Sequence, residues 1–213
     1  MIYIYYSYLS EENHESLLKN ELPKFPADYQ EKIKQFRKWQ DAQASLLGRL
    51  LLDTAIKENY TATSEVKKIK YTKFGKPYFE GNLIYFNISH SGDIVVCAVT
   101  SESVIGIDLE LITNIEMGDF ELHMTENELK SIASSANINE AFYNYWTQKE
   151  SVIKAHGHGL SIPLQSFEIS NYTTRINEET YYLKEIKIDE KYKCHVSLKT
   201  DCNEISIKKI KNM

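Results

Sequence analysis

The sequence is poor in cysteine and lacks both long apolar runs and a leader-like start. Its 213 residues include three cysteines, an odd number without paired C-x-x-C spacing, which indicates free thiols in a reducing compartment. No stretch approaches the roughly eighteen apolar residues that mark a membrane span. Residues 1–6, MIYIYY, lack a basic leader followed by an apolar core and a small-residue cleavage site. We therefore predict a cytoplasmic protein without a membrane partner.

An excess of positive charge is missing as well. The 25 Lys and Arg residues are outnumbered by 30 Asp and Glu residues, which gives a formal net charge of −5. A general nucleic-acid binder is normally more basic, so we expect no nucleic-acid partner. Hydrophobic residues make up 42% of the chain and charged residues 26%. These values are typical of a globular protein with a packed core.

The first half of the sequence mixes strand and helix patterns. Strands are predicted over residues 2–8, 66–71, 77–79, 83–88, 94–100 and 104–111. Residues 27–59 are predicted to be helical, with a break near residues 39–41, because leucines recur at helix spacing in the second part. Turn-forming residues predict turns at residues 75–77 and 89–93.

The second half carries clear helix boundaries. Thr125 and Glu128 form a capping-box pattern, which predicts the start of a helix. A longer helix is predicted over residues 140–155, ended by Gly157. Further strands are predicted over residues 167–170, 181–188, 192–198 and 204–210. These segments together predict an α+β fold of two packed halves that meet near residue 104.

The segment GIDLE, residues 106–110, places two carboxylates on one face of a strand. Alternate strand residues face the same side, so Asp108 and Glu110 point together. Ile107 and Leu109 then point the opposite way, into the core. Adjacent carboxylates repel each other unless a cation or a proton lies between them, and Mg²⁺ takes oxygen ligands of this kind. For this pattern by itself, a solvated polar strand face is the favoured interpretation.

A second pattern lies in the segment WTQKESVIK, residues 146–154. Trp146, Glu150 and Lys154 are spaced at i, i+4 and i+8, so they share a helix face. An ordinary exposed Glu–Lys pair is the alternative, but the large aromatic residue favours partial burial. A third carboxylate and a lysine near the GIDLE carboxylates would form a site for Mg²⁺ and a diphosphate.

The segment FNISHSG, residues 86–92, brings a serine and a histidine together. The G-x-S-x-G elbow of hydrolases is absent, and adjacent residues rarely form a nucleophile–base pair. A phosphate pocket built from turn amides, small hydroxyls and an imidazole is a better interpretation than a hydrolase. For this segment by itself, a surface histidine without a function is the favoured interpretation.

These three segments, in this order and at this spacing, resemble the Sfp-type 4′-phosphopantetheinyl transferases. The family pattern consists of N-x-S-H-S, G-x-D-x-E and W-x-x-K-E-S/A-x-x-K, and it stands here at residues 87–91, 106–110 and 146–154. The F-G-K-P turn at residues 74–77 and the G-L-S-I-P-L stretch at residues 159–164 are also similar to the family. The resemblance covers nearly the whole chain, although residues 172–213 add little to it.

The resemblance implies an enzyme with two similar α/β halves, residues 1–104 and 105–213, related by pseudo-twofold symmetry. Such an enzyme transfers the 4′-phosphopantetheine group of coenzyme A to a serine hydroxyl of an apo acyl or peptidyl carrier protein. It releases adenosine 3′,5′-bisphosphate, depends on Mg²⁺ and binds coenzyme A between the halves. We expect a monomer that serves fatty-acid, polyketide or nonribosomal-peptide biosynthesis.

The resemblance also implies roles for single residues. Mg²⁺ would be held by Asp108, Glu110 and Glu150, and Glu150 would take the serine proton directly or through a water. Lys154 would contact phosphate and stabilise the leaving group. The implied coenzyme A ligands are Lys32, Ser45, Lys76, Ser89, His90 and Lys154, with Lys32 and Ser45 near the 3′-phosphate.

One departure from the family pattern concerns the 3′-phosphate. Tyr29 stands three residues before Lys32, at a position where the family has a basic residue. Gln43 and Ala44 likewise replace basic side chains of some relatives. Lys34 is the candidate for a compensating cation.

A second departure is the mixed segment of residues 112–122. Its apolar residues are Ile112, Ile115, Met117, Phe120 and Leu122, interleaved with Glu116, Asp119 and Glu121. In the family this region helps to dock the carrier, so its acids would narrow partner choice by repelling an acidic carrier helix. Packing of the apolar residues within the fold is an equal alternative.

Two other functions stay open. A Mg²⁺-dependent hydrolase of the coenzyme A diphosphate would use the same carboxylates and need no protein partner. A non-catalytic coenzyme A-binding module would be favoured only if a metal carboxylate were missing, and none is. Transfer predicts a coenzyme A-derived mass on an acceptor protein, whereas hydrolysis predicts free phosphopantetheine without one.

Overall fold

The computed structural model describes residues 1–60, 69–81, 83–116, 118 and 121–211 of the chain. The strands are β1 Ile2–Tyr8, β2 Ile69–Tyr71, β3 Pro77–Phe79, β4 Tyr85–Ser91, β5 Ile94–Thr100, β6 Ile105–Leu111, β7 Thr173–Ile176, β8 Glu179–Glu185, β9 Tyr192–Leu198 and β10 Ile205–Lys209. The helices are α1 Glu11–Glu21, α2 Ala27–Lys34, α3 Trp39–Asn59, α4 Glu126–Ala133 and α5 Ile138–His156. The predicted α+β fold class is confirmed.

The strands form two four-stranded sheets and one small hairpin. The first sheet has the order β10-β1-β5-β4, the second has the order β6-β9-β8-β7, and β2 pairs with β3. In the first sheet β1 pairs antiparallel with β5, and β5 pairs with β4, the strand before it in the chain. In the second sheet β6 pairs antiparallel with β9, and β9 pairs with β8, the strand before it in the chain. The halves therefore repeat one topology, except that β10 returns to pair in parallel with β1 of the first sheet.

The two sheets pack face to face between the two long helices. Ile4 and Val96 of the first sheet meet Ile107 and Val196 of the second in one apolar core. The outer face of the first sheet packs against α3, and the outer face of the second packs against α5. Because strand side chains alternate, the neighbours of Ile107 along β6 are directed toward α5.

A glycine lets α5 approach β6 closely. A Cβ on Gly106 would lie 2.0 Å from the carbonyl oxygen of Ser151, so the first residue of the GIDLE segment is fixed by packing. The helix begins after Asn137, whose side chain accepts a hydrogen bond from the amide of Glu140, and ends at Gly157 in the left-handed conformation. These boundaries fix the position of the motif residues that α5 carries.

Several predicted boundaries agree with the structure. The strands at residues 2–8 and 94–100 are confirmed, as is the capping box of Thr125 and Glu128 at the start of α4. The predicted helical segment is broken, but at residues 35–38, because residues 39–41, where the break was expected, are the first residues of α3. Within the described parts of the chain, no helix is both long and apolar enough to cross a membrane.

Other predictions are wrong. Residues 89–91 are the end of β4 and not part of a turn, because they pair with β5. The strand expected over residues 167–170 is not formed, and β7 begins at Thr173 instead. Helix α1 was not predicted. The part of the expected strand at residues 66–68 lies outside the described residues.

Candidate active site

The three sequence motifs meet where β4, β6 and α5 come together. The Lys154 ammonium lies 2.5 Å from Oδ1 of Asp108 and 2.9 Å from Oγ of Ser89. Asp108 is only 2% exposed, whereas Glu110 and Glu150 are half-buried. The structure thus brings one residue from each motif into direct contact.

Side chains of β4 join the edge of the first sheet to the edge of the second. Oδ1 of Asn87 accepts a hydrogen bond of 2.8 Å from the amide of Ile107. Oγ of Ser89 accepts a hydrogen bond from the amide of Leu109 at 3.4 Å, and Oγ of Ser91 accepts one from the amide of Leu111 at 3.1 Å. Side chains on one face of a strand recur every two residues. The side chains of Asn87, Ser89 and Ser91 therefore meet successive amides of β6 and replace the backbone hydrogen bonds that would join two paired strands.

The two serines of this ladder also orient the metal-site candidates. Ser89 donates to Oδ1 of Asp108 at 3.2 Å, and Ser91 donates to Oε2 of Glu110 at 2.6 Å. The N-x-S-H-S motif is therefore part of the interface between the halves. His90 points away from this ladder, as alternation along the strand requires.

The three carboxylates carry more negative charge than their neighbours balance. Burial raises the pKa of Glu110, and the nearby charge of Asp108 raises it further against a hydrogen bond from Ser91. Burial likewise raises the pKa of Glu150, followed by the charge of Asp108. Both shifts express the cost of holding several carboxylates together in a half-buried site.

These residues fit a divalent cation. Oδ2 of Asp108 is buried and has no hydrogen-bond partner in the described part of the chain. Among the described residues, no three His, Cys, Asp or Glu side chains are gathered closely enough to enclose a metal by themselves. An open set of oxygen donors suits Mg²⁺, which usually takes one or two carboxylates and completes its shell with water and substrate phosphate.

A cleft beside the carboxylates collects three more predicted residues. It has a volume of about 330 Å³ and is lined by Lys32 of α2, Ser45 of α3 and His90 of β4, among others. His90 connects the two regions: burial lowers its pKa, and the charge of Lys154 lowers it further. The family resemblance places Lys32 and Ser45 in one pocket, and in the structure both line this cleft together with His90.

Lys76 lies elsewhere. Its Nζ atom donates to the carbonyl oxygens of Lys154 at 2.6 Å, Ala155 at 2.9 Å and Ile105 at 3.2 Å. All three ammonium hydrogens are thereby used, and burial lowers the pKa of Lys76 to about 8. The residue borders a separate cavity of about 400 Å³ that includes His158, and it does not line the cleft.

Sequence reasoning assigned no role to Arg49 and Lys149. Arg49 of α3 lines the same cleft as Lys32 and Ser45, and its spacing of four from Ser45 was the available signal. Lys149 is fully buried, with its ammonium 2.9 Å from Glu128. Its place on the apolar stripe of α5 could have indicated that burial.

The expected docking segment is only partly described. Leu122 is 77% exposed, whereas Ile115 packs against the cluster formed by Met124 and Phe142. Three other members, Met117, Asp119 and Phe120, lie outside the described residues. Both interpretations of this segment therefore stay predictions.

Comparisons with known proteins find similar sequences over most of the chain. A family model described as the 4′-phosphopantetheinyl transferase superfamily matches residues 104–205, and an N-terminal 4′-phosphopantetheinyl transferase model matches residues 13–102. The chain is 36% identical over 180 residues to the 4′-phosphopantetheinyl transferase gsp of Aneurinibacillus migulanus, covering 80% of this chain and 75% of the relative. It is 30% identical over 198 residues to the 4′-phosphopantetheinyl transferase Sfp of Bacillus subtilis, covering 88% and 86%. It is also 30% identical over 199 residues to the L-aminoadipate-semialdehyde dehydrogenase-phosphopantetheinyl transferase of Xenopus laevis, covering 79% and 66%.

Proposed function

Because the chain belongs to the 4′-phosphopantetheinyl transferase superfamily, we propose that it transfers the 4′-phosphopantetheine group of coenzyme A to a serine hydroxyl of an apo acyl or peptidyl carrier protein. The serine oxygen forms a bond to the phosphorus that carries the pantetheine arm. The bond from that phosphorus to the bridging oxygen breaks, and adenosine 3′,5′-bisphosphate leaves. The relatives give no support for the alternative of coenzyme A hydrolysis.

The observation that carries this proposal is the contact of Lys154 with Asp108 and Ser89. An ammonium held between two halves, beside three carboxylates, can bind the diphosphate of coenzyme A. Lys154 would donate to the diphosphate and stabilise the charge that develops on the leaving group. The nucleophile comes from the carrier, so the enzyme contributes mainly positioning and electrostatics.

Glu150 is the proposed general base. Its half-buried carboxylate lies within the electrostatic reach of Asp108 and Glu110, and its raised pKa makes it a better proton acceptor than an exposed glutamate. It would take the proton of the carrier serine as the new bond forms.

Mg²⁺ is the proposed cofactor, held by Asp108, Glu110 and Glu150. When bound, it would neutralise charge on the diphosphate of coenzyme A. Ser89 and Ser91 would orient the first two of these carboxylates through the hydrogen bonds they already donate.

The cleft beside this site would receive the nucleotide part of coenzyme A. Lys32, Ser45 and His90 would line it. We assign Lys76 to holding the end of α5, since its ammonium is already occupied by three carbonyl oxygens. The bound substrate would thus lie between the halves of residues 1–104 and 105–213.

The setting of the protein follows from similar reasoning. We propose a cytoplasmic monomer, because the three cysteines are free thiols and the two sheets already cover each other's apolar faces. Residues 112–122 are the proposed carrier contact, and the exposed Leu122 is a side chain that a carrier helix could cover.

Intact-mass spectrometry of an apo carrier protein tests the function directly. The carrier is incubated with this protein, coenzyme A and Mg²⁺, and we expect a phosphopantetheine-sized gain in mass. The gain should vanish with a chelator and with a carrier whose acceptor serine is replaced by alanine. Breakdown of coenzyme A without carrier modification would instead favour hydrolysis.

A further inference from the structure

A cavity of about 400 Å³ lies between the β2–β3 hairpin and the end of α5, apart from the cleft that holds the nucleotide-site candidates. The start of β4 and the start of β6 complete its walls. We call it the hairpin cavity and define it by Phe74, Lys76, Ile105, His156 and His158. It shares two lining residues with the cleft, Pro77 and Phe86. The two spaces are therefore neighbours with otherwise separate linings.

The walls of the hairpin cavity are fixed to each other. Lys76 of the hairpin donates hydrogen bonds to two carbonyl oxygens at the end of α5 and to that of Ile105 in β6. The rings of Phe74 and His158 are in contact, with their centroids 4.5 Å apart. Since these contacts tie the hairpin to two elements of the second half, the cavity is formed before a ligand binds.

The lining is mostly apolar and rich in aromatic rings. Besides Phe74 it contains Tyr78, Phe79, Tyr85 and Phe86. The rings of Phe79 and Phe86 pack with their centroids 4.7 Å apart. A flat aromatic ligand gains from offset and edge contacts with such rings, and small-molecule sites of about 300–1,000 Å³ are usual. The shape and surface of the cavity therefore suit an aromatic compound.

The charged groups in this lining have one sign. Lys73 and Lys76 are cations, and the described part of the lining contains no Asp or Glu side chain. The pKa of Lys76 is lowered by burial to about 8, so most of its molecules are still protonated at neutral pH. Its hydrogens go to carbonyl oxygens, which bear no net charge. The cavity therefore favours an anion over a neutral or cationic ligand.

His156 supplies a hydrogen-bond donor for such an anion. Its Nδ1 atom is buried and has no hydrogen-bond partner among the residues that the structure describes. Burial lowers the pKa of His156, and the neighbouring His158 lowers it further, so the ring is neutral at neutral pH and can carry its proton on Nδ1. A buried donor without an acceptor costs free energy, and a ligand carboxylate would remove that cost.

We propose that the hairpin cavity binds a small aromatic carboxylic acid in its anionic form. The aromatic part would lie among the rings of the lining, and the carboxylate would accept a hydrogen bond from Nδ1 of His156 in the field of Lys76. Binding to this cavity is independent of the transfer reaction, so it can be measured without coenzyme A or a carrier protein.

Titration calorimetry with 2-naphthoate tests this site, and the uncharged 2-naphthamide, which has the same rings, is the comparison ligand. The wild type should bind 2-naphthoate and prefer it to the amide. His156→Phe keeps a ring and removes the donor, so it should weaken 2-naphthoate by about tenfold to a hundredfold, as expected for a hydrogen bond to a charged group. Affinity for 2-naphthamide should fall much less, because a neutral acceptor forms a weaker hydrogen bond.

Two further variants complete the experiment. His14→Phe is the matched control, because Nδ1 of His14 is also buried without a partner in the described part of the chain, yet His14 lies on α1, outside the cavity. It should keep the wild-type affinity. Val104→Trp places a large ring in the lining and should abolish binding of both ligands. Thermal melts without ligand check that each variant folds, and 2-naphthoate should raise the melting temperature of the wild type and of His14→Phe.

Adenosine 3′,5′-bisphosphate distinguishes the hairpin cavity from the cleft. It should bind together with 2-naphthoate, because the two linings are largely separate. Competition between the two compounds would place 2-naphthoate in the cleft and overturn the proposal. The same conclusion would follow from no binding at millimolar 2-naphthoate, from equal affinity for the acid and the amide, or from an unchanged affinity in a folded His156→Phe protein.

Discussion

Ser89 and Asp108 share a hydrogen bond of 3.2 Å between their side chains, although they belong to strands of different sheets. The same serine accepts from the amide of Leu109, so the carboxylate and the backbone that carries it are both fixed to β4. Asp108 cannot move without disturbing the contact between the halves. The geometry of the site is therefore a property of the sheet-to-sheet packing and not of one motif.

Replacing Glu150 by glutamine should abolish proton acceptance while preserving shape. We expect kcat for carrier modification to fall by about 10²–10⁴, the usual contribution of general acid–base catalysis, with an unchanged circular dichroism spectrum. Asp108→Ala should likewise abolish transfer.

The matched control for Glu150 is Glu140→Gln on the same helix. Glu140 pairs with Lys193 at 2.9 Å and should be dispensable for transfer. Near-wild-type rates for Glu150→Gln would remove Glu150 from the mechanism.

Stability should depend on pH through Glu110. Burial and the charge of Asp108 raise the pKa of Glu110 above the ordinary 4.5. Between pH 4.5 and this raised pKa, the folded state therefore binds more protons than the unfolded chain. The free energy of unfolding contributed by Glu110 therefore falls as pH rises through this window and is lowest above it. Thermal melts in chelator should show Glu110→Gln to be stabilised at neutral pH relative to wild type.

The Glu110 effect should fade when pH falls below the ordinary glutamate value, where both proteins are uncharged at this position. A Glu110→Gln variant that is less stable than wild type at neutral pH and equally stable in acid would contradict the assigned shift.

Lys149→Met should strongly destabilise the protein. The change leaves Glu128 buried and charged without the ammonium that now lies 2.9 Å away, and it removes donors from the carbonyls of Leu164 and Phe167. Breaking a buried ion pair on one side costs about 3–5 kcal/mol. Urea unfolding monitored by tryptophan fluorescence measures this loss.

The double variant Lys149→Met with Glu128→Leu tests the reason for that loss. It removes both charges and should recover much of the stability of Lys149→Met. Equal instability of the single and double variants would show that the hydrogen bonds to the two carbonyls, and not the ion pair, carry the effect.

Lys76→Met should slow catalysis without weakening coenzyme A binding. The carbonyl oxygens of Ile105, Lys154 and Ala155 lose their donor. This loss lowers the free energy of unfolding by about 1–3 kcal/mol and loosens the last turn of helix α5, which carries Lys154. We expect kcat to fall and KM for coenzyme A to stay constant.

A direct phosphate contact by Lys76 would give the opposite pattern, a raised KM. Lys73→Met is the control. Lys73 is an exposed lysine of the same hairpin, and its ammonium lies over the ring of Phe74. It should leave both kinetic constants at the wild-type level.

Much of the site was predictable because it depends on local periodicity. Alternation along β6 correctly placed Asp108 opposite to Ile107, and the helical repeat put Trp146, Glu150 and Lys154 on one face. These relations hold within a single element and need no knowledge of its neighbours.

What the sequence could not supply depends on contacts between elements. Residues 89–91 have the composition of a turn, yet pairing with β5 and the side-chain ladder to β6 hold them extended. Likewise, Arg49 reaches the cleft only because α3 lies against α2 and β4. No local pattern encodes the distance between these elements.

The parallel pairing of β10 with β1 has a consequence for biosynthesis. A ribosome completes β1, β5 and β4 long before it reaches β10, so the first sheet emerges with the backbone of β1 unpaired along one edge. Such an edge can join a neighbouring chain until its own strand arrives. Substitutions in β10 that weaken this pairing should therefore lower the yield of folded protein more strongly than they lower the activity per folded molecule.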